Sequence, residues 1–172
     1  MSGSGYGRAA VLLGAVAIAL SGCGVVRKKT AVVSSSDMNC LTRAMYFESH
    51  QSSRDGLVAV GSVVMNRVAS PDFPNTVCGV VTQRNQFASG VMTKDMNPRN
   101  LPLVQEAAAA VLAGERHPGI GNARFFHVAS YRAGYDNMHY VVTTGGNAFY
   151  EKRSPELVTQ PVPVAATEGI TG

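Results

Sequence analysis

Glu48 closes the run Ala44-Met45-Tyr46-Phe47-Glu48-Ser49, which reads as the end of a helix with two aromatic rings beside a carboxyl group. Partial burial there disfavours the charged form and raises the carboxyl pKa. A carboxyl group that keeps its proton can give it to a leaving oxygen, the working requirement of glycoside cleavage. The commoner fate of a glutamate at a helix end is a solvated surface position, so Glu48 alone is only a candidate. Gln86 and Phe87 pair an amide for hydrogen bonds with a ring for stacking, and equally suit a packed loop. Phe126, His127 and Tyr150 lie on segments of strand composition that can face a cleft, whereas Asn66 and Arg67 read as residues that tie the fold together. The histidines at 50, 117, 127 and 139 have no metal-ligand spacing, and no CxxC or HxxxH accompanies the cysteines. No metal and no cofactor are expected.

These residues need elements to hold them. Asp37 suits an N-cap, and Cys40, Leu41, Ala44, Met45 and Phe47 form an apolar stripe that predicts a helix ending at Glu48. Ser52 and Asp55 have capping-box form, and Leu57, Val60, Gly61, Val64 and Val68 recur at helical steps until Pro71. Residues 75–82 predict a short helix, and residues 84–100 a long surface loop of the kind that is often functional. Pro102 and the alanine-rich run to Ala113 predict another helix, closed by Gly114. Residues 123–128 and 139–143 predict strands, with Gly145-Gly146 as a tight bend before Phe149 and Tyr150. The tail 153–172 reads as irregular. The domain is expected over 37–152, with a flexible tether over 23–36.

The N-terminus carries Arg8, an apolar stretch from Ala9 to Leu20, and Leu20-Ser21-Gly22-Cys23, the parts of an export signal over 1–22. The stretch is too short to span a bilayer. Its last four residues resemble the bacterial lipobox, which implies lipidation of Cys23 and anchoring to an envelope membrane, facing the periplasm. Gly24 after that cysteine points to the outer membrane over the inner. The alternative is an ordinary signal peptide with a cysteine nearby. The full chain has fifteen Lys and Arg against eleven Asp and Glu; losing Arg8 with the signal leaves fourteen, an excess too small to argue for nucleic acid. With Cys23 assigned to lipid, Cys40 and Cys78 remain as an even pair in an oxidising compartment, and a disulfide between them is expected.

Taken together, Cys40-Leu-Thr-Arg-Ala-Met-Tyr-Phe-Glu48, Gly56-Leu-Val-Ala-Val-Gly-Ser-Val-Val-Met-Asn-Arg-Val68 and the segment from Ser70 to Gln83 resemble the cell wall hydrolase family of the spore cortex-lytic enzymes. The resemblance continues through Gln86-Phe87, Ala123-Arg-Phe-Phe-His127 and Gly145-Gly-Asn-Ala-Phe-Tyr150. It implies an α+β, mainly α, lysozyme-like single domain, with a small β element lining a groove for peptidoglycan. It further implies that Glu48 is the single acid/base of a lytic transglycosylase, cutting between N-acetylmuramic acid and N-acetylglucosamine. Two departures stand out. Relatives commonly read EARGE where this chain has Glu48-Ser49-His50-Gln51-Ser52, and the second acid is expected to be a helix cap that Ser52 can replace. The chain has no tryptophan, which leaves sugar stacking to Tyr131 or Tyr135.

Two alternatives stay open. A muramidase using water would need a second carboxylate, with Asp55, Asp72, Asp95 and Asp136 as candidates, about 5–5.5 Å or 6.5–9.5 Å from the first. A lipoprotein that binds peptidoglycan without cutting it would keep the groove alone. The sequence names no protein partner.

Overall fold

The computed structural model describes Met1, Gly3, residues 34–50 and residues 53–171. The backbone divides into two units, 1–30 and 31–172, and every element below belongs to the second. Apart from Met1 and Gly3, the expected export signal lies outside the described residues, as does Cys23. Among the described residues, no helix is long and apolar enough to cross a membrane.

Four helices come first: α1 (Ser35–Glu48), α2 (Arg54–Val68), α3 (Val77–Val81) and α4 (Leu101–Leu112). Three strands follow, β1 (Phe125–Val128), β2 (Met138–Thr144) and β3 (Asn147–Lys152), in an antiparallel sheet of order β1-β3-β2. This is the mainly helical α+β domain that the sequence predicts.

The core lies among α1, α2 and α4, where Leu41, Met45, Leu57, Val60, Val64, Val104 and Val111 are fully buried. Leu57, Val60 and Val64 share one face of α2 because helical positions three and four apart stack on each other. Gly61 lets α2 approach its neighbours. A Cβ at that position would lie 2.2 Å from Met45 Cε and 3.1 Å from a Val111 methyl. The small side chains of Ala107 and Ala108, both fully buried, do the same from α4. The expected disulfide is present: Cys40 on α1 bonds to Cys78 on α3, 38 residues away, with a Cα–Cα distance of 5.3 Å. In the chain-entropy account, closing such a loop stabilises the fold by about 3–4 kcal/mol.

Two local expectations need correction, and the tail proves irregular as expected but docked. Helix α1 begins at Ser35, inside the expected tether, and Asp37 lies in its first turn instead of capping it. There its negative charge favours the positive end of the helix dipole. The cap of α2 is Ser53, whose Oγ accepts from Gly56 N at 3.0 Å, whereas Ser52 lies outside the described residues. The described part of the tail, residues 153–171, holds a short 3-10 turn (Pro155–Leu157) and is otherwise irregular, yet it packs back onto the domain. Gln160 O accepts from Tyr140 N at 2.9 Å, Ala166 bridges Thr143, and Thr167 N donates to Thr143 O at 2.9 Å. At its end, Ile170 N and Thr171 N donate to the Asp55 carboxylate at 2.8 and 2.5 Å. Burial pushes the Asp55 pKa up, but these bonds outweigh burial and hold it below the usual carboxylate value.

The strands β2 and β3 join through Gly145 and Gly146, at φ +54° and +82°. A two-residue turn with both φ values positive matches the twist of a hairpin and suits glycine. This turn also touches α2 backbone to backbone. A Cβ on Gly145 would lie 2.3 Å from Gly56 Cα, so neither glycine can gain a side chain without moving the hairpin off the helix.

Candidate active site

Glu48 is the last residue of α1, where the chain stops helical bonding and meets two distant segments. The carbonyl of Glu48, one of the unsatisfied groups at a helix C-terminus, accepts from Asn147 Nδ2 at 2.5 Å. Ser49 N and Ser49 Oγ both return to Met45 O, at 3.2 and 2.9 Å. His50 N donates to Gly145 O at 3.1 Å. The hairpin turn therefore holds the main chain on both sides of Ser49. From the long loop, Ala88 N donates to Glu48 Oε1 at 2.5 Å.

The side chain of Glu48 is half-buried, and burial drives its pKa above the ordinary value. The Ala88 bond and the positive charges of Arg67 and Lys94 work in the opposite direction without cancelling the effect. No basic residue lies in the last turn of α1, so the negative end of the helix dipole further disfavours the ionised form. With Oε1 engaged as an acceptor, the proton of the neutral acid belongs on Oε2.

Glu48 opens into a groove of about 420 Å³, lined by Phe47, Glu48, Ser49, His50, Arg67, Gln86, Phe126, His127, Val128, Gly145, Gly146 and Asn147. Glu48 is the only carboxylate among these residues. Asp55 is committed to the tail, Asp72 pairs with Arg124 at 2.9 Å, and Asp95 and Asp136 are exposed outside the lining. Among the described residues, no group of three or more His, Cys, Asp or Glu could hold a metal ion.

The other candidates divide. Gln86, Phe126 and His127 line the groove with Glu48. Phe126 packs on Phe149 at 5.4 Å, and His127 Nε2 is 2.7 Å from Tyr140 Oη. Tyr131 is exposed and meets the His127 ring edge-on at 5.3 Å, without itself lining the groove. Tyr150 lies behind His127, at 5.7 Å, and lines a smaller cavity with Tyr135, Asn137, Met138 and Lys152. Phe87 is not in the groove lining. It turns into the body of the protein, against the core and the Arg67 guanidinium.

Arg67 is the residue that the sequence undersells. It does tie the fold together, through Nε to Arg124 O at 2.7 Å, as Asn66 does through Gly121 O and Ala123 O at 2.9 Å each. It also reaches the groove, only 3% exposed, with its guanidinium 5.2, 5.4 and 5.9 Å from the rings of Phe73, Phe87 and Phe125. Burial lowers its pKa to about 10, so it stays charged at neutral pH and acts on Glu48 through a poorly solvated region. A signal was available: Arg67 continues the stripe of Val60 and Val64, where a solvated arginine has no place. Asn147 and His50 gave no comparable signal, since their roles depend on main-chain partners far away in sequence.

The Cell Wall Hydrolase family profile matches residues 51–150, more than half of the 172-residue chain. Spore cortex-lytic enzymes of Bacillus cereus and Bacillus subtilis are 41% and 38% identical over 56 residues. Those 56 residues are 33% of this chain and only 22% and 18% of these relatives' lengths. Among solved structures, the catalytic domain of the germination-specific lytic transglycosylase SleB from Bacillus anthracis superposes with a TM-score of 0.58 at 27% identity. The match covers 70% of this chain and 98% of that domain. The catalytic domain of the Bacillus cereus SleB protein matches with the same TM-score and identity, over 69% of this chain and 91% of that one.

Proposed function

The chain belongs to the cell wall hydrolase family, and from that premise we propose that it is a lytic transglycosylase of peptidoglycan with Glu48 as its single acid/base. The observation that carries this reading is a groove with one carboxylate, whose pKa is raised by burial. Glu48 gives its proton to the glycosidic oxygen as the bond from C1 of N-acetylmuramic acid to N-acetylglucosamine breaks. The 6-hydroxyl of the same muramic acid then attacks C1 and returns its proton to Glu48, closing a 1,6-anhydro ring. No water is consumed, and the enzyme ends as it began. One group can serve as acid and then base because its environment leaves both forms accessible. Arg67 keeps the ionised form within reach after the first transfer, and the Ala88 amide fixes the oxygen that does not carry the proton. Gln86, Phe126, His127, Tyr131 and Tyr150 are proposed to contact or support the glycan.

The deciding experiment is mass analysis of the soluble products released from purified sacculi by wild type and by Glu48→Gln. Anhydro-muropeptides from wild type alone are expected. Reducing-end products would replace this mechanism with hydrolysis, and sacculus binding without release by either protein would leave a binding lipoprotein. Anchoring through Cys23 is proposed from the lipobox alone, with the outer membrane as its site. Metabolic labelling with a radioactive fatty acid should mark wild type and not Cys23→Ala; equal labelling, or none, would sink it.

A further inference from the structure

Glu168 is an exposed residue of the tail, yet its two carboxylate oxygens engage two different elements. Oε1 accepts from Gly145 N at 2.7 Å, and Oε2 accepts from Ser53 Oγ at 2.5 Å. Gly145 belongs to the hairpin turn that lines the groove, and Ser53 caps α2. The tail is placed for this task from both sides. Upstream, Ala166 and Thr167 pair with Thr143. Downstream, Ile170 and Thr171 bind the carboxylate of Asp55, which is only 2% exposed. Asp55 and Glu168 both sit at the positive end of the α2 dipole, where negative charge is favoured.

The turn held by Glu168 is the one that holds Glu48. Gly145 O accepts from His50 N, and Asn147, two residues further on, donates to Glu48 O. Two adjacent glycines at positive φ have wide backbone freedom, so this turn needs an outside anchor to keep one geometry. We infer that Glu168 is a positioning residue of the groove, fixing the β2–β3 turn against the start of α2 and thereby the end of α1 that carries Glu48. The inference rests on the reading of Glu48 as the acid/base. Small misplacements are costly to such chemistry: a shift of about 1 Å can lower a rate on the order of 100-fold.

The test compares wild type, Glu168→Ala, Glu168→Gln and Thr171→Val as full-length chains, well below their melting temperatures. Release of muropeptides is followed at saturating and at limiting sacculi. Glu168→Ala should lower the saturated rate by about tenfold, with half-saturation little changed, because reacting groups are displaced and not lost. Glu168→Gln keeps an acceptor for Gly145 N and should recover most of that rate. Thr171→Val removes the Thr171 hydroxyl that donates to Asp55 Oδ1 and so loosens the tail there while sparing both Glu168 bonds, which should lower the melting temperature more than the rate. A wild-type rate in folded Glu168→Ala overturns the inference, as does an equal loss of rate in Thr171→Val. Amide exchange at Gly145 and His50 is read on the same proteins, and both amides should exchange faster in Glu168→Ala than in wild type. A wild type that releases nothing would remove the proposed activity, whereas unchanged exchange at those amides would remove the role of Glu168.

Discussion

The interior between α1, α2 and α4 and the junction around Glu48 are held together by opposite means. In the interior, Leu41, Met45, Leu57 and Val64 are fully buried and contribute by area, each about 1.5–3 kcal/mol relative to exposure. At the junction, the Ala88 amide, the Asn147 side chain and the Gly145 carbonyl act through single directed bonds to α1 or to the residues just after it. Area is forgiving of small shifts, whereas a hydrogen bond weakens steeply with misdirection. The interior therefore sets how stable the protein is, and the junction sets where the Glu48 carboxyl sits. A sound comparison of this kind should come apart under mutation.

The largest separation is expected from Glu48→Gln. Its activity should fall by about 10²–10⁴-fold, the usual worth of a positioned acid or base, while its stability rises. The sign follows from the pKa. Folding raises the Glu48 pKa above its ordinary value through burial, so at pH above the ordinary glutamate pKa the folded state bears a cost for ionising it that the unfolded state does not. Glutamine removes the cost. Calorimetry should find the variant melting higher than wild type at neutral pH, with the gap closing as pH falls below the ordinary glutamate range. A variant that melts lower at neutral pH would mean that the carboxylate stabilises the fold after all.

Gly145→Ala should strike both regions together, since its Cβ meets Gly56 Cα at 2.3 Å and its φ is positive. A cost of about 2–5 kcal/mol is expected from overpacking plus left-handed backbone strain, with loss of muropeptide release. Urea unfolding alongside activity measures both. Leu41→Ala should instead cost about 2–5 kcal/mol as a cavity and leave the rate per folded molecule unchanged; a changed pH profile would show that the interior does reach the site. The smallest effect belongs to Arg54→Ala. Its pairs with Glu106 and Glu115, at 2.9 and 2.7 Å, are partly solvated, so a loss of at most about 1 kcal/mol and no change in activity are expected from thermal melts and release assays.

The same division decides what can be read from the sequence. The helices were legible because burial imposes a period, and Leu57, Val60 and Val64 display it. The Cys40–Cys78 bridge was legible by counting. The partial burial of the Glu48 carboxyl at the end of α1 was legible from its aromatic neighbours. The junction was not, because its donors and acceptors are mostly main-chain groups, which every residue carries alike. Asn147 meets Glu48 across 99 positions of chain, and nothing in either residue's surroundings announces the other. The docking of the tail was not legible for a related reason. It brings little area, and it is held by Asp55 and by the edge of β2, neither of which has a periodic signature.

That edge carries a final consequence. In a sheet of order β1-β3-β2, the outer side of β2 would present unpaired main-chain groups, the kind of template on which another chain can add itself as a strand. Gln160 and Thr167 occupy Tyr140 N and Thr143 O instead. The tail thus protects colloidal behaviour as well as shape: a protein shortened before Gln160 should self-associate through β2, and the first sign would be concentration-dependent light scattering at temperatures where the helices are still intact.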